Sequence, residues 1–231
     1  MQLSKRLLAV ASMVTEGNRV ADVGCDHGYI PIYLIQQKRI PCAIAMDIRK
    51  GPLSRAEAHI QERGLQGYIQ TRLSDGVQAL KKDEADTLII AGMGGGLVQK
   101  ILEEGRDVLL NISELILQPQ SEIRQVRFWL MEHGYVIVKE TMVFEDGKYY
   151  PMMKAIHGKM EYTEEVFCKY GKELLLLKDP VLRNYLEKEK GTCLNILERL
   201  KNSHTSLAGT RAMEIKQEMQ YIDTALEYYE M

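Results

Sequence analysis

Four cysteines, Cys25, Cys42, Cys168 and Cys193, are too few and too irregularly spaced to form a disulfide framework or a CxxC metal site. Reduced thiols, a cytoplasmic location and no bound metal are therefore expected. An excess of basic charge is also lacking. The formal net charge is −2, which excludes a uniformly basic surface and leaves nucleic-acid binding to a local patch. No apolar run reaches the length of a membrane span. Lys5-Arg6 followed by Leu7 to Val14 superficially resembles a signal peptide. Leu3, Leu7, Val10, Ala11 and Val14 nevertheless share one helical face, and a strand begins six residues later. A packed first helix is expected, with no membrane association.

A further absence lies in the turn of Arg19-Val20-Ala21-Asp22-Val23-Gly24-Cys25-Asp26-His27-Gly28-Tyr29-Ile30-Pro31. An apolar run enters a glycine-bearing turn and opens into a helix, the nucleotide end of a Rossmann-type unit. The dinucleotide fingerprint requires a second glycine so that pyrophosphate can lie against backbone, and Asp26 occupies that place. A carboxylate there repels pyrophosphate. It suits the ammonium and sulfonium of S-adenosylmethionine (AdoMet), so the turn reads as a methyl-donor loop.

Beyond this turn, helical and strand-like segments alternate. A helix near 28–38 precedes a strand over 41–48 and an amphipathic helix over 52–63. Strands are expected over 68–73, 86–91 and 115–117, and helical segments over 97–102 and 123–131. Alternating elements of this kind make a parallel sheet covered on both faces. Two β-rich runs, 135–144 and 148–156, then flank Glu145-Asp146-Gly147, a hairpin signal. An antiparallel hairpin at the end of a parallel sheet is, by fold analogy, a habit of AdoMet-dependent methyltransferases. The expected domains are residues 1–157, an α/β Rossmann-like methyltransferase domain, and 158–231, a helical, coiled-coil-like domain. In the latter, Ala212, Ile215, Met219, Ile222, Leu226 and Tyr229 form an a/d-type seam. Leu182, Leu186, Cys193, Leu197 and Leu200 form a looser stripe, and Ser203–Thr210 reads as the turn of an antiparallel hairpin. Residues 157–231 carry 11 basic and 13 acidic side chains, so this is not a basic arm.

Candidate cofactor residues lie at the carboxyl ends of the strands. Asp22, Gly24, Cys25, Asp26, His27 and Gly28 belong to the first turn. Asp47, with Ile48 after it, closes strand two, 23 residues beyond Gly24, where an acidic residue accepts ribose hydroxyls. Asp75-Gly76 ends strand three, where a short acid can meet an adenine amino group. Ala91-Gly92-Met93-Gly94 ends strand four, which sheet order places beside strand one at the switch point, so that both glycine loops line one crevice. Asp26 and His27 are the polar groups proposed for chemistry, with Tyr29 as a ring contact. Lys5, Arg6, Arg49, Lys50, Arg55, Arg124 and Arg127 are candidates for RNA phosphate contacts.

Asp22-x-Gly24-Cys25-Asp26-His27-Gly28, Ala91-Gly92-Met93-Gly94-Gly95, Leu117-Gln118-Pro119 and a helical C-terminal hairpin together resemble the bacterial tRNA (adenine-22-N1)-methyltransferase family. The likeness spans nearly the whole chain. The general AdoMet pattern D-x-G-x-G-x-G is kept in part, with Asp26 in place of its middle glycine. It implies AdoMet as cofactor, tRNA as partner and N1 of an adenine as acceptor. In that reaction an in-plane lone pair attacks without deprotonation, so placement matters more than base catalysis. The acceptor base has to be unpaired or extruded.

Three alternatives compete with this reading, one of them a non-catalytic AdoMet-binding RNA module that only turnover excludes. The same core can serve a methyltransferase of another RNA, a protein or a small molecule. An NAD-dependent oxidoreductase using the Gly92–Gly96 loop is disfavoured, because Leu97 stands where the final glycine belongs. Monomer and homodimer both remain open, since the seam over 212–229 can be satisfied within one chain or between two.

Overall fold

The computed structural model describes residues 2–201 and 206–230, apart from the side chain of Ser206. Chain contacts divide it into two units, Met1–Glu161 and Tyr162–Met231.

The first unit is built on one seven-stranded sheet. In chain order its elements are α1 (Lys5–Met13), β1 (Val20–Val23), α2 (Tyr29–Gln36), β2 (Ala43–Asp47), α3 (Lys50–Glu62) and β3 (Ile69–Leu73). These are followed by β4 (Thr87–Met93), α4 (Gly95–Glu104), α5 (Arg106–Leu109), β5 (Glu114–Pro119), α6 (Ile123–Glu132), β6 (Tyr135–Glu145) and β7 (Lys148–His157). The sheet order is β3-β2-β1-β4-β5-β7-β6, parallel through β5 and antiparallel at β7 and β6. The chain reverses its direction of winding between β1 and β4, which pair from Val20↔Thr87 to Val23↔Ile90 and open a crevice at their carboxyl ends.

Both faces of the central strands are covered, so β1, β2 and β5 are buried at every position rather than at alternate ones. Ala21, Val23, Leu88, Ile90, Leu115 and Leu117 face one layer with Val98, Leu102, Val126 and Leu130 of α4 and α6. Val20, Ala43, Ala45, Ile89 and Ile116 face the other, with Val10 of α1, Ile32 of α2 and Ala56 of α3. Each fully buried aliphatic side chain contributes about 1.5–3 kcal/mol to this packing.

Polar ties join the layers. Glu114, buried at the start of β5, accepts from the backbone N–H and hydroxyl of Thr15, from Thr87 Oγ1 and from Lys154 Nζ. One carboxylate thus links the end of α1 to β4, β5 and β7. The β6–β7 hairpin turns on Asp146 (φ 49°) and Gly147 (φ 76°), the two left-handed residues that a tight hairpin requires.

The second unit contains α7 (Glu165–Tyr170), α8 (Lys172–Leu176), α9 (Pro180–Lys201) and α10 (Ser206–Glu230). Helix α9 starts on Asp179, whose Oδ1 accepts from the N–H groups of Val181 and Leu182, with Pro180 at the first helical position. Helices α9 and α10 pack together. Leu182, Leu186 and Cys193 of the expected α9 stripe are buried, whereas Leu197 and Leu200 are half-buried. On α10 the most buried residues are Ala208, Ile215, Ile222 and Ala225, and Ala212, Met219, Leu226 and Tyr229 flank them half-buried. The expected turn over Ser203–Thr210 is corrected in part. Residues 206–210 already belong to α10, and 203–205 lie outside the described residues.

Arg127 is a second correction. Expected to contact RNA phosphate, it is 1% exposed on the inner face of α6, with Nε and Nη2 both donating to Glu140 Oε1 of β6 at 2.9 and 2.8 Å. A buried guanidinium of this kind is held by its partner, and removal of either member strands a charge in the core. Arg127→Ala or Glu140→Ala is expected to lower stability by about 3–5 kcal/mol, and the Arg127→Met/Glu140→Leu pair by far less. Chemical denaturation of the four proteins checks this, and equal loss in the single and double variants contradicts it.

Candidate active site

The crevice at the carboxyl ends of β1 and β4 is a cavity of about 550 Å³. It lies within the size range of small-molecule sites. Its floor is the turn after β1. The N–H groups of Gly24 and Cys25 both donate to the Met46 carbonyl, at 2.8 and 2.9 Å, which draws the turn against β2. Gly24 is left-handed (φ 72°), and a Cβ there would sit 2.2 Å from Met93 Cε. The two glycine-bearing loops therefore approach each other at Met93, and the left-handed backbone at position 24 favours glycine.

Acidic groups gather on the β1–β3 side. Asp22, Asp26, Asp47 and Asp75 all line the cavity, with Gly24, Cys25, Ile48 and Gly76 between them. Asp22 and Asp47 are almost fully buried. Burial, and then the nearby Asp47 charge, push the Asp22 carboxyl up to about 7. Burial, and then the Asp22 and Asp47 charges, push the Cys25 thiol up as well, which makes it a poor nucleophile. Asp47 Oδ1 accepts from the Arg49 N–H at 2.8 Å, and Asp26, largely exposed, meets Arg55 Nη2 at 3.3 Å.

The β4–β5 side has a different character. Ala91, Gly92, Met93 and Leu97 line it together with Arg6 from α1 and Gln120 after β5. Buried Gln118 organises this side. Its Oε1 accepts from the Gly92 N–H at 3.1 Å and from Arg6 Nη1 at 3.0 Å, and the Arg6 guanidinium lies 5.5 Å from the Tyr150 ring centroid.

The cavity thus presents a glycine cradle, a buried carboxylate poised to ionise and a surplus of acid over base. A cationic nucleoside fits it and a pyrophosphate does not. Asp22 and Asp26 line it at the end of β1, and Asp47 and Asp75 at the ends of β2 and β3. The AdoMet chemistry expected from the first turn matches this donor set.

Residues 3–153 match a family described as a methyltransferase domain. The tRNA (adenine(22)-N(1))-methyltransferase of Bacillus subtilis (strain 168) is 40% identical over 158 residues, which make up 68% of this chain and 66% of that protein. The crystal structure of the B. subtilis M1A22 tRNA methyltransferase superposes with a TM-score of 0.86 at 32% identity, over 97% of this chain and 98% of that one. This chain belongs to the tRNA (adenine(22)-N(1))-methyltransferase family. Streptococcus pneumoniae Sp1610, solved in complex with S-adenosyl-L-methionine, is 34% identical with a TM-score of 0.88, over 97% of this chain and 100% of that one.

Not every candidate of this family member reaches the cavity. His27 does not line it. Its ring clusters with those of Tyr29 and His59, with centroids 5.0 and 5.4 Å away, and its Nδ1 is buried without a hydrogen-bond partner among the described residues. Gly28 caps α2 in a left-handed conformation (φ 70°), and its missing Cβ makes room for Ala56 of α3. Gly94 and its neighbours serve a turn rather than a ligand. A Cβ on Gly95 would lie 2.4 Å from the Ser121 carbonyl oxygen, while Ser121 Oγ and Glu122 Oε2 accept from the Gly95 and Gly96 N–H groups at 3.3 and 2.8 Å. Side chains 26 residues away thereby cap the start of α4.

Of the basic candidates, Arg6 and Arg49 line the cavity, and Arg55 borders it through Asp26. Lys5, Lys50 and Arg124 are exposed. Arg6 and Gln120 were not expected in the cavity. Gln120 directly follows the Leu117-Gln118-Pro119 motif, the one local signal that could have drawn attention to it. Among the described residues there is no group of three or more His, Cys, Asp or Glu side chains suited to a metal, and no helix long and apolar enough to cross a membrane.

The Asp22 carboxyl has a testable consequence. Its folded-state pKa, about 7, lies above its unfolded value, so the folded state holds this proton more tightly and stability falls as pH rises from about 4 to about 7. Asp22→Asn removes that penalty. The cofactor-free variant is expected to exceed the wild type in stability by roughly 2–4 kcal/mol at pH 8, with the advantage shrinking towards pH 5. Denaturation midpoints across this range check it, and an advantage independent of pH contradicts it.

Proposed function

We propose that this chain methylates N1 of an adenine in tRNA with AdoMet as donor, and that the adenine is nucleotide 22, as in the relatives it resembles. The observation that carries this reading is the acidic, glycine-floored cavity at the β1–β4 switch point, in a chain whose relatives are tRNA (adenine(22)-N(1))-methyltransferases. AdoMet supplies a methyl group on a positively charged sulfur, which leaves with the bonding electron pair as the adenine N1 lone pair takes the carbon.

The chain's own residues have three tasks in this reading. Asp47 and Asp75 fix the donor nucleoside through its hydroxyls and amino group. Asp22 and Asp26 hold the positive end, and Asp26 exchanges its Arg55 contact for the incoming ammonium. Gly24 and Gly92 keep the backbone low enough for donor and acceptor to meet in line. No general base is needed, because N1 carries no proton to remove. This agrees with the position of His27, clustered with the rings of Tyr29 and His59. Lys5, Lys50 and Arg124, all exposed, and Arg49 at the cavity rim are the cations assigned to tRNA phosphates in this reading. The reading implies the cytoplasm, where tRNA is available.

Incubation with labelled AdoMet and unmodified bulk tRNA, followed by nucleoside analysis, is expected to yield 1-methyladenosine, and mapping is expected to place it at nucleotide 22. Asp47→Ala is expected to abolish product by weakening donor binding. Label in any other nucleoside, or none, contradicts the proposal.

A further inference from the structure

We infer that Gln120 reads the acceptor adenine on its N6/N7 edge and strengthens its hold on N6 as N1 is methylated. The inference rests on the proposed adenine-N1 reaction and deepens it by naming the group that selects the base.

Gln120 is fixed at its backbone and free at its side chain. Its N–H donates to the Met93 carbonyl at 2.8 Å, and the next two residues are pinned to the start of α4 through Gly95 and Gly96. The turn therefore cannot drift from the glycine loop. The side chain is exposed and lines the cavity, and a Cβ on Gly92 would lie 3.9 Å from its Nε2. Among the described residues its carboxamide has no hydrogen-bond partner. Gln118, by contrast, is committed to Gly92, Arg6 and the Pro119 carbonyl. Arg6 can only donate. On the β4–β5 side, Gln120 alone of these three offers both a donor and an acceptor to a ligand.

That pair matches adenine. A glutamine carboxamide accepts from N6–H and donates to N7 in a bidentate contact, whereas guanine presents two acceptors on the same edge. The contact also leaves N1 uncovered for attack. As the methyl carbon bonds to N1, positive charge passes from sulfur to the ring and spreads over N1, C6 and N6. The N6–H bond to Gln120 Oε1 then becomes charge-assisted and shorter than in the ground state. An interaction that grows towards the transition state accelerates the step as well as selecting the base.

The test is a cycle between Gln120→Ala and tRNA carrying 7-deazaadenine at the methylated position, which removes the N7 acceptor. Gln120→Ala is expected to lower kcat/KM on ordinary tRNA by about 5- to 150-fold, with AdoMet affinity unchanged. The analogue is expected to slow the wild type about 5-fold or more relative to the variant. Any change the analogue makes to N1 basicity affects both proteins and cancels in the ratio. A variant within twofold of wild type, or an equal analogue effect in both proteins, overturns the role of Gln120 while the adenine-N1 reading stands. Absence of 1-methyladenosine with the wild type overturns both.

Discussion

Negative charge held out of water at the ends of β1 and β2 is the constraint on which the site depends. Asp22 sits on a strand buried on both faces, with Asp47 close enough to raise its pKa, and among the described residues no side-chain cation is paired with it in the cavity. Such an arrangement is unfavourable in the empty protein and favourable with a cation bound. The fold supplies the strain and the ligand relieves it. In the proposed reading, this favours a sulfonium nucleoside over a dinucleotide at a Rossmann-type turn of this composition.

The opposite side of the cavity carries Arg6 and no carboxylate, and is built from long-range contacts. Gln118 joins Arg6 and Gly92 from three elements, and the turn after β5 closes on the N-terminus of α4. Three consecutive glycines at 94–96 let that turn approach, so the glycine-rich run has two functions in sequence. Its first member shapes the cavity and its later members anchor the neighbouring turn. The acidic side and the side organised by Gln118 are thus separately built and meet at Met93 over Gly24.

Much of this was legible in the chain. The alternation of elements, the reversal at the switch point, the closing hairpin and the acidic strand ends are all local signals of composition and spacing. Asp22, Asp26, Asp47 and Asp75 converge because each lies at or just past the carboxyl end of a parallel strand, and parallel strands deliver those ends to one edge. The failures share a cause. Arg127 looks like a surface cation until Glu140 arrives from another strand to neutralise it. Arg6 reaches the cavity through a partner 112 residues away. His27 neighbours the cofactor turn in sequence, yet the rings of Tyr29 and His59 decide where its side chain goes. Gly94 reads as part of a ligand loop until Ser121 is seen against it. No helical or strand period encodes which distant side chain will complete a site.

Proton release on donor binding tests the role of buried charge most directly. At pH 7 a carboxyl with a pKa of about 7 is half protonated, and a bound cation drives it to ionise. Calorimetry of AdoMet binding in buffers of differing ionisation enthalpy is predicted to show the wild type releasing up to about half a proton more than Asp22→Asn. The difference is predicted to fade by pH 9. Equal proton counts in the two proteins at pH 7 would contradict a donor site organised around the Asp22 charge.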